Sequence, residues 1–599
     1  MNLLTQLKLP ADIKNLNHEQ LRELARDIRQ LMLDTVLKNG GHLASNLGMV
    51  ELTLAMHYVF SPPQDTFIFD VGHQAYTHKI LTGRMDNFAT LRTLGGISGF
   101  PKPTESTYDS SIAGHASIAP SLSTGFAKAN QLNGSTDTVV SVIGDGAMTG
   151  GLAYEAMNTA SQISARQVII INDNEMSIAK NTGSVTDYLV SLSHTGKYRK
   201  LKNNLKNVFG TASLPAKIKN TAKYYLKGGS PFEHYGGTYF GVVDGHNFSE
   251  LIRALEHAKS TEGLSIVHVA TQKGKGYLPA EQNPSYYHGY SGEQKSQAQS
   301  YSKIAGNMLL ELAKTNPNIV AITAAMAEGC GLEEFEKAYP ERFSDVGIAE
   351  SHAVTHAVGL ALGGKKPYFA VYSTFLQRAY DQLLHDVCLN DVPVTLLIDR
   401  AGLVPADGIT HQGIFDVGYL LSVPGLKILS PATQKELEEA IRFSENYNHP
   451  LAIRYPKGNP ELEYELVGKI TDWQVVTTSK SPKITVLTYG AMVAECIKSA
   501  QNLPVDVINC RCLSNIDTDM LKNIKTPVLL VEDSYKNSGF ANIILQYFTT
   551  SNTTIKPEIL NITEKGFLNL KNTQGNVEEL RKILELDYIS IKNHLTKYA

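Results

Sequence analysis

Two short acidic stretches in this 599-residue chain carry residue types suited to holding a charged ligand: Gly144-Asp-Gly146 and, one helix and one strand further on, Asn172-Asp-Asn174. Asp145 and Asn174 offer oxygen, the ligand type that a hard Mg²⁺ ion prefers. Such an ion binds few protein groups and completes its shell with water and phosphate oxygens. The glycines let the backbone approach a phosphate, and a helix starting after Gly146 would aim N–H groups at it. Gly-Asp-Gly alone is often a mere turn; joined to Asn-Asp-Asn across such a unit, it marks a metal-diphosphate site. A third stretch, Gly347-Ile-Ala-Glu-Ser-His-Ala-Val354, sets Glu350 among small and apolar residues. A carboxylate there is exposed, paired, or kept partly neutral for chemistry.

The elements that must position these groups read as alternating strands and helices. Thr138 to Ile143 is a continuous apolar run and predicts a buried strand, Leu152 to Ile163 a helix, and Val168 to Asn172 a second buried strand. In the βαβ unit they form, both acidic turns open on one crevice at the strands' carboxyl ends, which makes Asp145 and Asn174 neighbours. Similar alternation recurs at Pro367 to Tyr372, Val392 to Ile398, Ile484 to Thr488 and Val528 to Glu532, so the fold class is α/β with several open, mainly parallel sheets. Near the start, Asn17 to Gln20 reads as a helix start, and apolar residues from Leu21 to Met32 follow at three-and-four spacing until Gly40-Gly41.

Length implies about three to five units at roughly 100 to 200 residues each, and the pauses in the alternation favour three. A Tyr-, Gly- and Ser-rich stretch from Ser285 to Ser302 and the turn-rich Tyr455 to Pro460 are the natural boundaries. Hydrophobic content of 42%, 19% charge and a net charge of −3 are those of an ordinary globular protein and give no global pull toward nucleic acid or an anionic membrane. Any anionic ligand is therefore held locally. The five cysteines, Cys330, Cys388, Cys496, Cys510 and Cys512, form neither CxxC pairs nor a secreted framework, which predicts packing or free thiols in a reduced compartment. No apolar run of ~18 residues predicts a membrane span, and the expected location is cytoplasmic. Between Tyr188 and Phe232 there is no acid, while nine Lys and Arg residues accumulate from Lys197 to Lys227. A nucleic-acid patch and a solvated helical flap both fit; ordinary helical spacing without interleaved stacking aromatics favours the flap, and no nucleic-acid partner is expected.

Over nearly its entire length the chain resembles the 1-deoxy-D-xylulose-5-phosphate synthase family of thiamine diphosphate enzymes. The resemblance rests on Gly40 to Leu52 (GGHLASNLGMVEL), Asp70 to Gly83 (DVGHQAYTHKILTG), the Gly-Asp-Gly and Asn-Asp-Asn pair, Asp345 to Glu350 (DVGIAE), Tyr372 to Asp381 (YSTFLQRAYD) and Asp407 to Asp416 (DGITHQGIFD). It implies the transketolase-like thiamine diphosphate-binding fold in three domains: diphosphate-binding over 1–300, pyrimidine-binding over 301–465 and a smaller C-terminal domain over 466–599. It implies a homodimer, with each active site between the first two domains of one chain. Pyruvate and D-glyceraldehyde 3-phosphate would be the substrates, and 1-deoxy-D-xylulose 5-phosphate and CO₂ the products, in isoprene and thiamine biosynthesis.

The same resemblance assigns roles. Glu350 would lie against N1′ of the cofactor's aminopyrimidine, where a pKa raised by desolvation suits a group sharing a proton with a ring nitrogen, and Phe375 would stack on that ring. Asp145, Asn174 and Met176 would ligate Mg²⁺. Gly114, His115, Ala116, Gly146, Ala147 and Tyr277 would hold the cofactor, together with His73. His42, His73 and His288 would line the reacting atoms, His288 standing at the family's spacing after Lys273 to Tyr277 (KGKGY). Tyr372, Arg378, Arg400, Asp407, His411 and Arg454 would bind the phosphorylated acceptor, the arginines because their planar donors can clamp phosphate.

The chain departs from the family at Ser351, where Gln is usual, and at Gly114 to Ala119 (GHASIA), where three hydroxyls give way to apolar groups. Pro405 replaces a common Gly, and Phe232 to Phe240 reads differently throughout. Two rival readings are a transketolase acting on ketose phosphates and a weakly active or non-catalytic paralogue.

Overall fold

Short apolar runs of β-branched residues form the strands, and the positions of Gly and Pro set their ends. The computed structural model describes residues 3–174, 231–292, 299–537, 539–551 and 553–598. Met176 and most of the Lys-rich segment lie outside the described residues. The chain divides into two compact units: residues 1–91 with 97–294, and residues 92–96 with 295–599.

The first unit carries β1 (Thr66–Phe69), β2 (Val139–Gly144), β3 (Gln167–Asp173), β4 (Thr238–Asp244) and β5 (Leu264–Ala270) in the order β1-β2-β3-β5-β4. Every neighbouring pair is parallel. The expected βαβ unit is present, with the helix Gly151–Ala160 between β2 and β3. The strands β2 and β3 are almost wholly buried, as a sheet covered on both faces requires. The long helix His18–Asn39 begins where the sequence places it: the Asn17 side chain accepts from Glu19 and Gln20 N–H, while Gln20 reaches back to Asn17 N–H at 3.0 Å. It ends at Gly40, whose φ of +78° and close approach to the Tyr290 carbonyl leave no room for a side chain.

The second unit holds two sheets. One runs β10-β11-β9-β8-β6-β7, all parallel, from β6 (Ile319–Thr323), β7 (Phe343–Asp345), β8 (Lys366–Tyr372), β9 (Thr395–Asp399), β10 (Lys427–Leu429) and β11 (Leu451–Arg454). The strand expected from Val392 starts only at Thr395, because Pro393 has no N–H for the ladder. The other runs β12-β14-β13-β15-β16, from β12 (Gln474–Thr477), β13 (Ile484–Thr488), β14 (Val505–Asn509), β15 (Val528–Tyr535) and β16 (Glu558–Ile562). Its edge strand β12 is antiparallel to β14; the remaining pairs are parallel.

Three sheets therefore follow one another along the chain, but the last two share one apolar core. Ile322, Phe369 and Leu396 belong to the same buried cluster as Leu487, Ile508 and Leu530. Among the described residues, no helix is long and apolar enough to cross a membrane.

Candidate active site

In the first unit, β2 and β3 run in register with Gly144 opposite Asn172, so the Asp145 and Asn174 loops leave the sheet side by side. Asp145 N–H donates to the Asn172 carbonyl at 3.1 Å. The Asp145 carboxylate is buried and accepts N–H bonds from Gly146 and Asn174. Burial, and next the neighbouring Asp173, push its carboxyl upward, while the buried Lys273 opposes them. Asn174 Oδ1 is buried with no hydrogen-bond partner among the described residues.

These two oxygens fit a divalent cation, which would neutralise the crowded Asp145 and give Asn174 Oδ1 its missing partner. Among the described residues no group of three or more His, Cys, Asp or Glu could hold a metal.

Around this pair the backbone is shaped by residues the sequence reading did not single out. Asp70 accepts from Ser117 and Ala119 N–H, each at 2.8 Å, and thereby folds the Gly114-His115-Ala116 loop. Ser117, with φ +69°, donates its hydroxyl to the Ala147 carbonyl at 2.7 Å. The one hydroxyl kept in the altered GHASIA stretch thus ties the loop of Ala116 to that of Gly146 and Ala147. Asn172, behind the loops, accepts from Thr271 Oγ1 at 2.6 Å and donates to Gln74 at 2.8 Å. The unusual Phe232 to Phe240 stretch reaches β3 only through β5: Tyr239 bonds His268 of β5 at 2.9 Å, and His268 bonds Asp173 of β3 at 2.9 Å.

The three candidate histidines, separate in sequence, form a triangle. Ring centroids lie 5.5 Å apart for His42 and His73, 5.7 Å for His42 and His288, and 5.3 Å for His73 and His288. His288 is held well below the usual imidazole range by burial first, then by Lys273, His73 and His42, which favours its neutral form. Ser45 Oγ bonds its Nδ1 at 3.1 Å. Tyr277 stands edge-on to Tyr287 with centroids 5.7 Å apart.

In the second unit, Glu350 is the first residue of the helix Glu350–Leu362 and is only 3% exposed. Of the three states open to it, the structure gives two together. It is paired, with Arg378 Nη1 at 3.4 Å, and its pKa is raised, by burial first with Arg378 opposing. Ser351, the departure beside it, donates its hydroxyl to the Arg378 carbonyl at 3.1 Å, tying the helix start to the turn that carries Arg378.

Nearby, Phe375 stacks on Tyr372 with centroids 5.7 Å apart and meets His411 edge-on at 5.6 Å. The Arg400 guanidinium lies 3.5 Å over the Tyr372 ring, and Nη1 is anchored on Asp399 at 2.9 Å and the Gly329 carbonyl at 3.1 Å. Asp407 pairs with Arg92 at 2.5 Å and lies 3.8 Å from Lys457, two cations absent from the sequence reading. Pro405 accepts the Asp407 N–H at 2.9 Å, so the turn that aims this carboxylate forms without glycine there.

Arg454 has a different setting. It is 3% exposed and its fork is bound by Asp416, Nε at 3.0 Å and Nη2 at 3.1 Å, with Ser430 at 3.2 Å. No signal in the sequence separated it from Arg378 and Arg400, since Asp416 precedes it by 38 residues.

Side-by-side oxygen donors in the first unit, and in the second a buried acid at a helix start and an aromatic stack beside an arginine, are the features that the resemblance to transketolase-type, thiamine diphosphate-dependent enzymes implies. In keeping with that class, residues 297–461 match the transketolase pyrimidine-binding domain and residues 474–567 the transketolase C-terminal domain. Residues 4–271 match the model of 1-deoxy-D-xylulose-5-phosphate synthase. The chain is 42% identical to the 1-deoxy-D-xylulose-5-phosphate synthase of Clostridium acetobutylicum, covering 100% of both chains. It is 43% identical to that of Clostridium perfringens strain 13 over 99% of both, and 44% identical to that of Natranaerobius thermophilus over 91% of this chain and 90% of the other. The chain belongs to the 1-deoxy-D-xylulose-5-phosphate synthase family.

Proposed function

We propose that this protein is a transferase that condenses pyruvate with D-glyceraldehyde 3-phosphate, giving 1-deoxy-D-xylulose 5-phosphate and CO₂ for isoprenoid biosynthesis. The observation that carries the reading is the pair Asp145 and Asn174, set side by side by the β2–β3 register, with one amide oxygen buried and without a partner among the described residues. Asp145 and Asn174 would hold Mg²⁺, and the loops of Gly114 to Ala116 and Gly146 to Ala147 would hold the diphosphate of thiamine diphosphate. When bound, this cofactor supplies the electron sink that decarboxylation of a 2-oxo acid requires.

The chain's own residues do the rest. Glu350, buried and raised, keeps a proton available to the cofactor's aminopyrimidine nitrogen. His42, His73 and His288, all half-buried, present ring nitrogens for proton transfer. Phe375 offers a flat face to a ring, while Arg378, Arg400, Tyr372, Asp407 and His411 serve the phosphate and hydroxyls of the acceptor.

Mg²⁺ as the cation, a homodimer as the working state and a cytoplasmic setting belong to the same proposal. All five cysteines are free, which suits a reducing compartment. Light scattering of the purified chain checks the dimer. Supplying pyruvate, glyceraldehyde 3-phosphate, thiamine diphosphate and Mg²⁺ tests the reaction: CO₂ release with formation of the five-carbon ketose phosphate is expected. Turnover of xylulose 5-phosphate with no CO₂ from pyruvate would make the protein a transketolase.

A further inference from the structure

Two of the three candidate histidines, His42 and His73, are held by one amide, that of Asn46. This side chain is fully buried. Its Nδ2 donates one hydrogen to the His42 carbonyl at 2.7 Å and the other to the His73 carbonyl at 2.6 Å. Its Oδ1 accepts the Tyr76 N–H at 2.8 Å. The Tyr76 hydroxyl, in turn, takes the His42 N–H at 3.2 Å. A closed ring of hydrogen bonds results, running from Asn46 to His42, on to Tyr76 and back. The residue before it, Ser45, touches the third histidine through His288 Nδ1.

The chemistry of this ring allows few other residues at position 46. It uses both amide hydrogens, each on a separate backbone carbonyl, and one acceptor. Aspartate would set a carboxylate against two carbonyl oxygens. Glutamine adds a methylene to a fully buried side chain, and alanine leaves two part-buried carbonyls without their donor. The clamp joins the short helix Leu43–Gly48 to the turn that carries His73, two segments 27 residues apart.

The geometry points to Asn46 as a positioning residue that fixes the spacing of His42 and His73, and so the proton traffic between them. Its role in turnover rests on the proposed function; its role in placing the rings does not. Asn46 touches neither the Asp145–Asn174 pair nor, in any contact seen, the histidine rings, so it acts through the backbone of both histidines.

The test compares the full-length protein with Asn46→Ala and Asn46→Ser, the latter keeping one donor and one acceptor. Histidine side-chain NMR of each, assigned with His42→Gln and His73→Gln, is read beside steady-state kinetics. The expected result is displaced His42 and His73 resonances and a kcat lowered at least tenfold in Asn46→Ala, by less in Asn46→Ser, with the KM for pyruvate within about threefold of the parent. Unchanged histidine resonances and kcat, with only a lower melting temperature, would overturn the assignment. If Asn46→Ala does not fold, Asn46→Ser carries the same comparison. If the parent releases no CO₂ from pyruvate, the proposed function falls while the resonances still decide the role of Asn46.

Discussion

Arg378 Nη1 stands 3.4 Å from Glu350 Oε2, opposing a carboxyl pKa that burial has raised. Removing the acid and removing its partner should therefore differ. Glu350→Gln is expected to lower kcat by at least ~100-fold, the scale of losing a positioned proton-transfer group, with the fold retained. Arg378→Ala leaves the acid in place but removes the charge that lowers its pKa, so the basic limb of the kcat/KM profile, where Glu350 loses its proton, moves to higher pH. An unmoved limb in Arg378→Ala would contradict this pairing.

The Asp145 and Asn174 oxygens predict a metal-dependent loss. Asp145→Ala or Asn174→Ala should weaken Mg²⁺-dependent binding of thiamine diphosphate by ~10-fold or more, since each removes one of few protein ligands. Calorimetric titration with and without Mg²⁺ measures it, and equal affinity under both conditions would argue against a bridging ion.

The arginines should separate by setting. Arg400 is stacked on Tyr372 and anchored on Asp399, and Arg400→Ala should raise the KM for glyceraldehyde 3-phosphate by ~10-fold or more, the worth of a charge-assisted hydrogen bond, with less effect on unphosphorylated glyceraldehyde. Arg454→Ala leaves Asp416 buried without its partner and should cost about 3 to 5 kcal/mol of stability. Parallel kinetics and urea unfolding of the two variants check the contrast.

Acid sensitivity has a local source in Glu51, which takes two bonds from Arg29 at 2.7 Å and one from His246 at 3.0 Å. Burial alone would raise its pKa, but these bonds outweigh burial and hold it at about 2 against an ordinary 4.5. A depressed folded pKa means the stabilisation is complete above the unfolded value and is lost as pH falls from about 4.5 toward 2. The full contribution is about 3 kcal/mol. Glu51→Gln should lower stability at pH 7 and flatten its fall between pH 5 and pH 3; a parallel curve would contradict the assignment.

Much of this was legible in the residues, for physical reasons. Two buried strands with a helix between them bring their following loops together, so the sequence alone pairs Asp145 with Asn174. The Asn17 cap and the Gly40 stop of the first long helix are local signals and were found where they act. What could not be read is long-range. Asp70, Arg92 and Lys457, and Asn46 through His73, work through partners 27 to 315 residues away, and nothing local marks such a contact. The strand at Thr395 shows a local rule overriding a pattern: the apolar run from Val392 outvoted Pro393 in the sequence, and the missing N–H decided in the fold.

The most direct test is CO₂ release from pyruvate in the presence of glyceraldehyde 3-phosphate, thiamine diphosphate and Mg²⁺, run side by side for the parent and Glu350→Gln. The account predicts release coupled one-to-one to a five-carbon ketose phosphate in the parent, and near-complete loss in the variant. Equal release by both proteins, or none by the parent with both cofactors bound, would contradict it.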